Sequence, residues 1–436
     1  MEKFSLILEK LPAKYADLRF LRQKLVQVAL RTDSSDVVEE DWTRVVCRAV
    51  THGYGVASTD KTDAASVEQA ASSALKQSTL CDQRVELLPV HPEKGRVERA
   101  LKEEFNTQEA GLFLKNLEGE IRSRLKMHAR IELIASHLQT HSVLITSEGT
   151  QVEESTPLTD LTIYIVTKGL EEGFASKILG GRGGFEVLKK QPWDDLLENL
   201  VRRAKDSTVA KASVILHFSH PYLVGRFRVV LDPEAAGALA HETAHFLEAD
   251  VYNESFFKGL SHEFQLVDNP LLEDAYGSFS WDDEGVRARV KNLLGRNEVN
   301  LLHTRLTAKS ETDAGNAHGI IHKPRPCVSN VYIQPSDWSE EEIFEDTRNG
   351  IYAEGLVKAE CRLDDGRIEI EPELAYVLKN KEKTTPIKHL RIICSLRDIE
   401  RVDAVGKHLS LRPSYEKGFP ISEGAPFIRI NGAICR

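Results

Sequence analysis

The chain has no Cys-x-x-Cys pair, no apolar run of membrane-spanning length and no excess of positive charge, and each absence removes a class of protein. Its six cysteines, Cys47, Cys81, Cys327, Cys361, Cys394 and Cys435, are widely separated, which excludes the disulfide framework of a small secreted domain. Each reads as a small buried hydrophobe, with a thiolate metal ligand left open. Without a long apolar run there is no candidate membrane span. Met1-Glu2-Lys3-Phe4 leads into an amphipathic segment and not a secretory core, so the expectation is a cytoplasmic protein with no membrane partner. A formal net charge of -10 and a pI near 5.9 argue against a broad nucleic-acid footprint, and no nucleic-acid partner is expected. No internal repeat or low-complexity tract interrupts the chain.

What is present is enough apolar material for one or two substantial cores: 436 residues, 41% of them hydrophobic. A helix is expected over Leu6 to Tyr15, then strands over Ala16–Leu21 and Leu25–Leu30, a turn at Ser34–Glu39, and further strands toward Gly53–Ser58. A helix starts at Thr62-Asp63 and runs through Leu75. Helices over Val97–Leu117 and Glu120–Ile131 are separated at Gly119. The segments Ile131–Leu138, His141–Ser147, Gln151–Thr156 and Leu161–Val166 read as an antiparallel meander turning at Ser147-Glu148-Gly149-Thr150. Gly180-Gly181-Arg182-Gly183-Gly184 reads as a flexible glycine-rich loop without the lysine of a phosphate cradle. Trp193–Lys205 is an amphipathic helix and Ala212–Leu216 a strand. Downstream, a helix over Ser339–Thr347 and a hairpin centred on Asp364-Asp365-Gly366 are expected, and Asp282-Asp283-Glu284 reads as a solvated turn. The fold class is α+β, with an N-terminal unit at 1–220 and a sheet-rich unit at 221–436 that carries the helix described next.

That helix contains His241-Glu242-Thr243-Ala244-His245. Two imidazoles four residues apart lie on one helical face and can grip one zinc, and the glutamate between them can activate a water. The approach supports the reading. Val229–Leu231 is a strand end, Asp232 is placed to cap the helix, Pro233 suits its first position, and Ala235, Ala236, Gly237, Ala238 and Ala240 permit close packing. Glu242, Glu248 and Asp250 share this short segment, and buried carboxylates call for a cation.

Several blocks in a fixed order resemble the TldD/PmbA family of metalloproteases across nearly the whole chain. They include Tyr15-Ala16-Asp17-Leu18-Arg19, Gly53–Thr59, Arg182-Gly183-Gly184-Phe185-Glu186, the approach Val229–Gly237, and Gly277–Gly285. Lys323–Ile333, Asn349–Ala353 and Gly424-Ala425-Pro426 complete the series. The family usually spaces its glutamate and second histidine by three residues; here only Thr243 and Ala244 intervene, which gives regular helical spacing. Its third ligand is a cysteine shortly before the terminal glycine-proline block. Here that region reads Leu411-Arg412-Pro413-Ser414-Tyr415-Glu416-Lys417-Gly418, with Ser414 near the expected place, and a serine hydroxyl is a poor zinc ligand.

Glu248 is the leading substitute, so the expected metal set is His241, His245 and Glu248. An equally available role for Glu248 is to accept a histidine N–H and orient the ring. Asp250, His262, Glu263 and a cysteine follow as candidates. The resemblance implies one Zn2+ per active subunit, unfolded or extended peptide as substrate, and a homodimer or a heterodimer with a related subunit. Glu242 is the expected catalytic base. Two other readings stay open: a catalytically silent family subunit that binds peptide, and a metal-dependent amidase on a small substrate. His303, His318, His322, Arg325 and Asn330 are further polar candidates near the site.

Overall fold

The computed structural model describes residues 2–32, 34–212, 225–257, 264–295, 298–319 and 321–436. The expected strand Ala212–Leu216 and the boundary near 220 fall largely on residues outside that set, as do His262 and Glu263.

The α+β expectation holds: helices and a long-stranded sheet come first, and a sheet-rich half with the metal-motif helix follows. The first sheet has seven strands. Tyr54–Thr59, Ser34–Val50, Tyr15–Arg31, Ala129–Thr146 and Gln151–Lys168 pair antiparallel in that spatial order, and the last also pairs with Lys94–Glu98 and Glu172–Arg182. Its strands are much longer than the sequence pattern suggests. Tyr15–Arg31 is one strand, and Tyr15 belongs to it and not to the first helix, Glu2–Lys10. Ser34–Glu39, expected as a turn, is already strand. The four expected meander segments merge into two strands joined at residues 147–150. Arg22-Gln23-Lys24 and similar polar stretches pair across the sheet by their backbone, so ladder hydrogen bonds carry the strand through places where side-chain alternation lapses.

The three longest helices of this half, Ala64–Leu80, Thr107–Leu125 and Trp193–Ser207, pack against this sheet. Asp63 caps the first by accepting from the Ser66 amide. The expected pair of helices over 97–131 is replaced by the strand Lys94–Glu98, one helix that continues through Gly119, and the strand beginning at Ala129. Open space surrounds the Gly119 position, so the glycine meets no obstacle and the helix runs on. Gly180 and Gly181 are strand residues and not a flexible loop; a side chain on Gly180 would strike the neighbouring strand at Thr159 and Asp160.

In the second half a ten-stranded and a six-stranded sheet enclose the helix Pro233–His245. The strand Gly225–Leu231 belongs to the larger sheet and feeds directly into the helix. Asp232 accepts from the Ala235 amide at 2.9 Å, and Pro233 occupies the first turn. Helix residues 235–241 are buried, and a Cβ on Gly237 would lie 3.1 Å from the Gly424 backbone. The small-residue run therefore lets the helix cross the strand Phe419–Ala425 at backbone contact. Among the described residues no helix is long and apolar enough to cross a membrane.

Buried charge joins the two halves. Arg48 binds Asp17 at 2.8 Å and reaches the Asp283 carbonyl, and Arg19 pairs with the Asp283 carboxylate. Asp282 accepts from the amides of Glu284, Val286 and Ala317. The solvated turn expected at 282–284 is thus a buried junction. Arg203–Glu373 at 2.6 Å and the bidentate Arg202–Glu354 pair add to it.

Candidate metal centre

His241 and His245 stand one turn apart at the end of the helix Pro233–His245, with ring centroids 4.9 Å apart. The i,i+4 spacing delivers what it promises, two imidazoles on one face. Facing them is the terminal hairpin, strands Ser410–Glu416 and Phe419–Ala425. Its two turn residues, Lys417 and Gly418, have φ of 52° and 84°, the pattern of a tight type I′ turn. In its register Glu416 opposes Phe419 and Arg412 opposes Glu423, which puts these four side chains on one face of the hairpin.

Each histidine is held from behind. Nδ1 of His241 donates to Glu423 Oε2 at 2.7 Å, and Nδ1 of His245 donates to Glu248 Oε1 at 2.9 Å. Arg412 pairs with Glu423, and the Lys417 ammonium donates to Glu248 at 2.6 Å. Carboxylates that take the Nδ1 protons leave both Nε2 atoms for the other side, where they lie 3.6 and 3.7 Å from the same oxygen, Glu416 Oε2. His241 Nε2 is buried with no hydrogen-bond partner. Donor atoms of His241, His245 and Glu416 all lie within 4.8 Å of one another, and among the described residues this is the cluster suited to hold a metal ion.

The donor set fits zinc. Two ligands about 2.1 Å from a tetrahedral ion stand roughly 3.4 Å apart, close to the observed spacings. Two nitrogens and one carboxylate form the three-ligand set that leaves a position for water. The electrostatics agree. Burial works against an imidazolium at His241, yet the facing Glu416 carboxylate, the hydrogen bond to Glu423 and the nearby Glu242 charge raise it to about 10. Burial likewise pushes Glu423 up, but Arg412 and His241 outweigh it and hold that carboxyl down at about 2. The carboxylates around the two rings thus favour positive charge between them, which a metal ion would supply.

The other candidates are engaged differently. Asp250 pairs with Arg325 at 3.0 Å. Cys327 is buried, and burial pushes its thiol well up, as it does for Cys394 and Cys435 in the larger sheet. Ser414 is on the same hairpin face as Glu416, one alternation further from the turn. His303 Nδ1 is 3.1 Å from the Thr307 hydroxyl. Asn330 is occupied by Gly277, Asn269 and Ser278, which pins one loop to a strand. Glu242 is half-buried beside Cys361; burial and the hydrogen bond to that carboxylate push the thiol to about 12.

Sequence reasoning missed Glu416, Glu423, Arg412 and Lys417. One signal was legible: in a strand, Ser414 and Glu416 share a face, so a carboxylate two residues beyond the serine was available to the same partner.

Family models match two stretches, the PmbA/TldA metallopeptidase central domain over residues 100–212 and the C-terminal domain over 224–434. A metalloprotease of Methanothermobacter thermautotrophicus is 31% identical over 68% of this chain and 67% of its own length. Another, from Methanocaldococcus jannaschii, is 32% identical over 66% of this chain and 65% of its own, so the matched stretches span about two thirds of these relatives. The crystal structure of TldE from Thermococcus kodakarensis superposes with a TM-score of 0.80 over 100% of this chain and 99% of that one, at 15% identity, a likeness of fold. On these grounds the chain belongs to the PmbA/TldD metallopeptidase family.

Proposed function

We propose that this protein is a zinc-dependent peptidase in which His241, His245 and Glu416 hold the ion and Glu242 moves the proton. One observation carries the reading: two imidazole Nε2 atoms converge on a single Glu416 oxygen while both Nδ1 atoms are tied to carboxylates. Glu248 then serves as the orienter of His245 and not as a ligand, because its oxygen engages Nδ1 on the far side of the ring.

A bound zinc supplies polarisation of the scissile carbonyl and of the attacking water. Glu242 accepts the water proton at its carboxylate and passes it to the departing nitrogen as the amide C–N bond breaks, so the base is regenerated after each turnover. Glu423 and Glu248 hold the rings in place, and Arg412 and Lys417 balance those carboxylates. Following the family resemblance, the substrate is an unfolded or extended peptide, bound by main-chain pairing in an assembly of two subunits.

Metal analysis of the purified protein with assays on an unfolded polypeptide tests the reading. One zinc per chain, lost in Glu416→Ala, together with a Glu242→Gln protein that keeps zinc and stops cleaving, is the expected result. Undiminished proteolysis by E242Q would sink the mechanism. Metal-free protein that still binds peptide would point instead to a silent subunit.

A further inference from the structure

A cavity of about 150 Å³ opens where the first sheet meets the loop 276–283 and the terminal hairpin. Its walls are largely apolar, with Leu21, Leu144 and Leu158 from the sheet and Phe279, Trp281 and Phe419 from the other side. Its charged groups already have partners: Arg19 is paired with Asp283, Asp282 accepts from backbone amides, and Glu154 accepts from the amide and hydroxyl of Ser280. The remaining lining is more apolar than polar, the composition of a pocket for an uncharged group.

The chamber adjoins the metal centre. Phe419 opposes Glu416 in the hairpin register and shares its face, so the cavity wall stands one cross-strand pair from the carboxylate that faces both histidines. Phe279, His318 and Phe419 continue the wall as a row of rings, with centroids 5.1 and 4.8 Å apart. Burial pushes His318 below its usual range, which suits a neutral ring in an apolar wall. On the other side of the hairpin tip a second cavity shares His318, Gly418 and Phe419 but is lined by Arg44, Lys323, Arg325 and Lys417.

We infer that the apolar cavity is a specificity pocket that takes one aromatic or branched aliphatic side chain of the peptide beside the bond to be cut. Its volume suits that occupant: a protein cavity of about 150 Å³ accepts a benzene ring. The inference rests on the peptidase reading and names its substrate class, extended chains with a bulky apolar residue near the cleavage point.

The test is a set of peptides identical except at one position, scanned through Gly, Ala, Glu, Leu and Phe. It is read as kcat/KM on zinc-loaded protein and as binding to zinc-loaded E242Q by fluorescence anisotropy. A ratio of Phe or Leu over Ala of about tenfold or more is expected at one position relative to the cut. Ser142, half-buried on the cavity wall, provides the filling variant: Ser142→Trp collapses that ratio at unchanged zinc content. Trp281→Ala provides the opposite change, shifting preference toward larger side chains, and stands in if the first variant does not fold. Equal treatment of all residues, or a preference for Glu that would place selection in the cationic cavity, overturns the proposal. Absence of zinc and of cleavage would sink the peptidase reading alone, since the binding ratio, read then on the metal-free protein, still decides the cavity.

Discussion

Two of the buried acidic clusters in the second half of the molecule have opposite characters. At Asp282-Asp283-Glu284 the carboxylates face Arg19, Arg48 and Arg305 and a series of backbone amides. Around His241 and His245, Glu248, Glu416 and Glu423 have only Lys417 and Arg412 as fixed cations, and an imidazole nitrogen stays unpartnered at the centre. A cluster that brings its own cations is a joint. One in which two imidazoles converge on a single carboxylate is a candidate metal site.

The sharpest way to break the contrast is to remove a donor from each. Glu416→Ala should abolish stoichiometric zinc binding with little loss of fold, read by metal analysis and circular dichroism. Glu242→Gln should keep zinc and lower kcat by about 10²-fold or more. Asp283→Ala should do the reverse of Glu416→Ala: zinc capacity stays, while stability falls by roughly 3–5 kcal/mol in denaturant unfolding because Arg19 loses its buried partner. Glu248→Gln should weaken zinc affinity by about 10–100-fold without abolishing it, measured by chelator competition.

The smallest effect is one of pH. In metal-free protein Glu423 is held at about 2 against an ordinary 4.5, so its stabilising contribution is complete above the ordinary value and is lost as pH falls toward 2. Glu423→Gln should flatten that part of the stability curve; an unchanged slope would contradict the pairing with Arg412 and His241.

Local rules made part of this legible in the sequence. The cap at Asp232, Pro233 in the first turn and the small residues that permit close packing are set by neighbours along the chain and hold in the structure, and the two histidines share one helical face. Long-range pairing hid the rest. Strands such as Ala129–Thr146 alternate poorly because each face is buried along only part of its length, so polar residues looked like breaks. The turn at 282–284 looked solvated because its arginine partners come from strands at the other end of the chain. Glu416 is hidden because the family's cysteine position falls near Ser414, two residues away. Hairpin register, which sequence does not display, is what turns Glu416 toward the helix.

The central claim is that Glu416 completes the metal set. Anomalous diffraction at the zinc edge from crystals of the zinc-loaded protein tests it most directly. The account predicts one peak bonded to Nε2 of His241, Nε2 of His245 and the Glu416 carboxylate, with Glu248 still on Nδ1 of His245. A peak bonded to Glu248 or a cysteine, or no peak between the histidines, would contradict it.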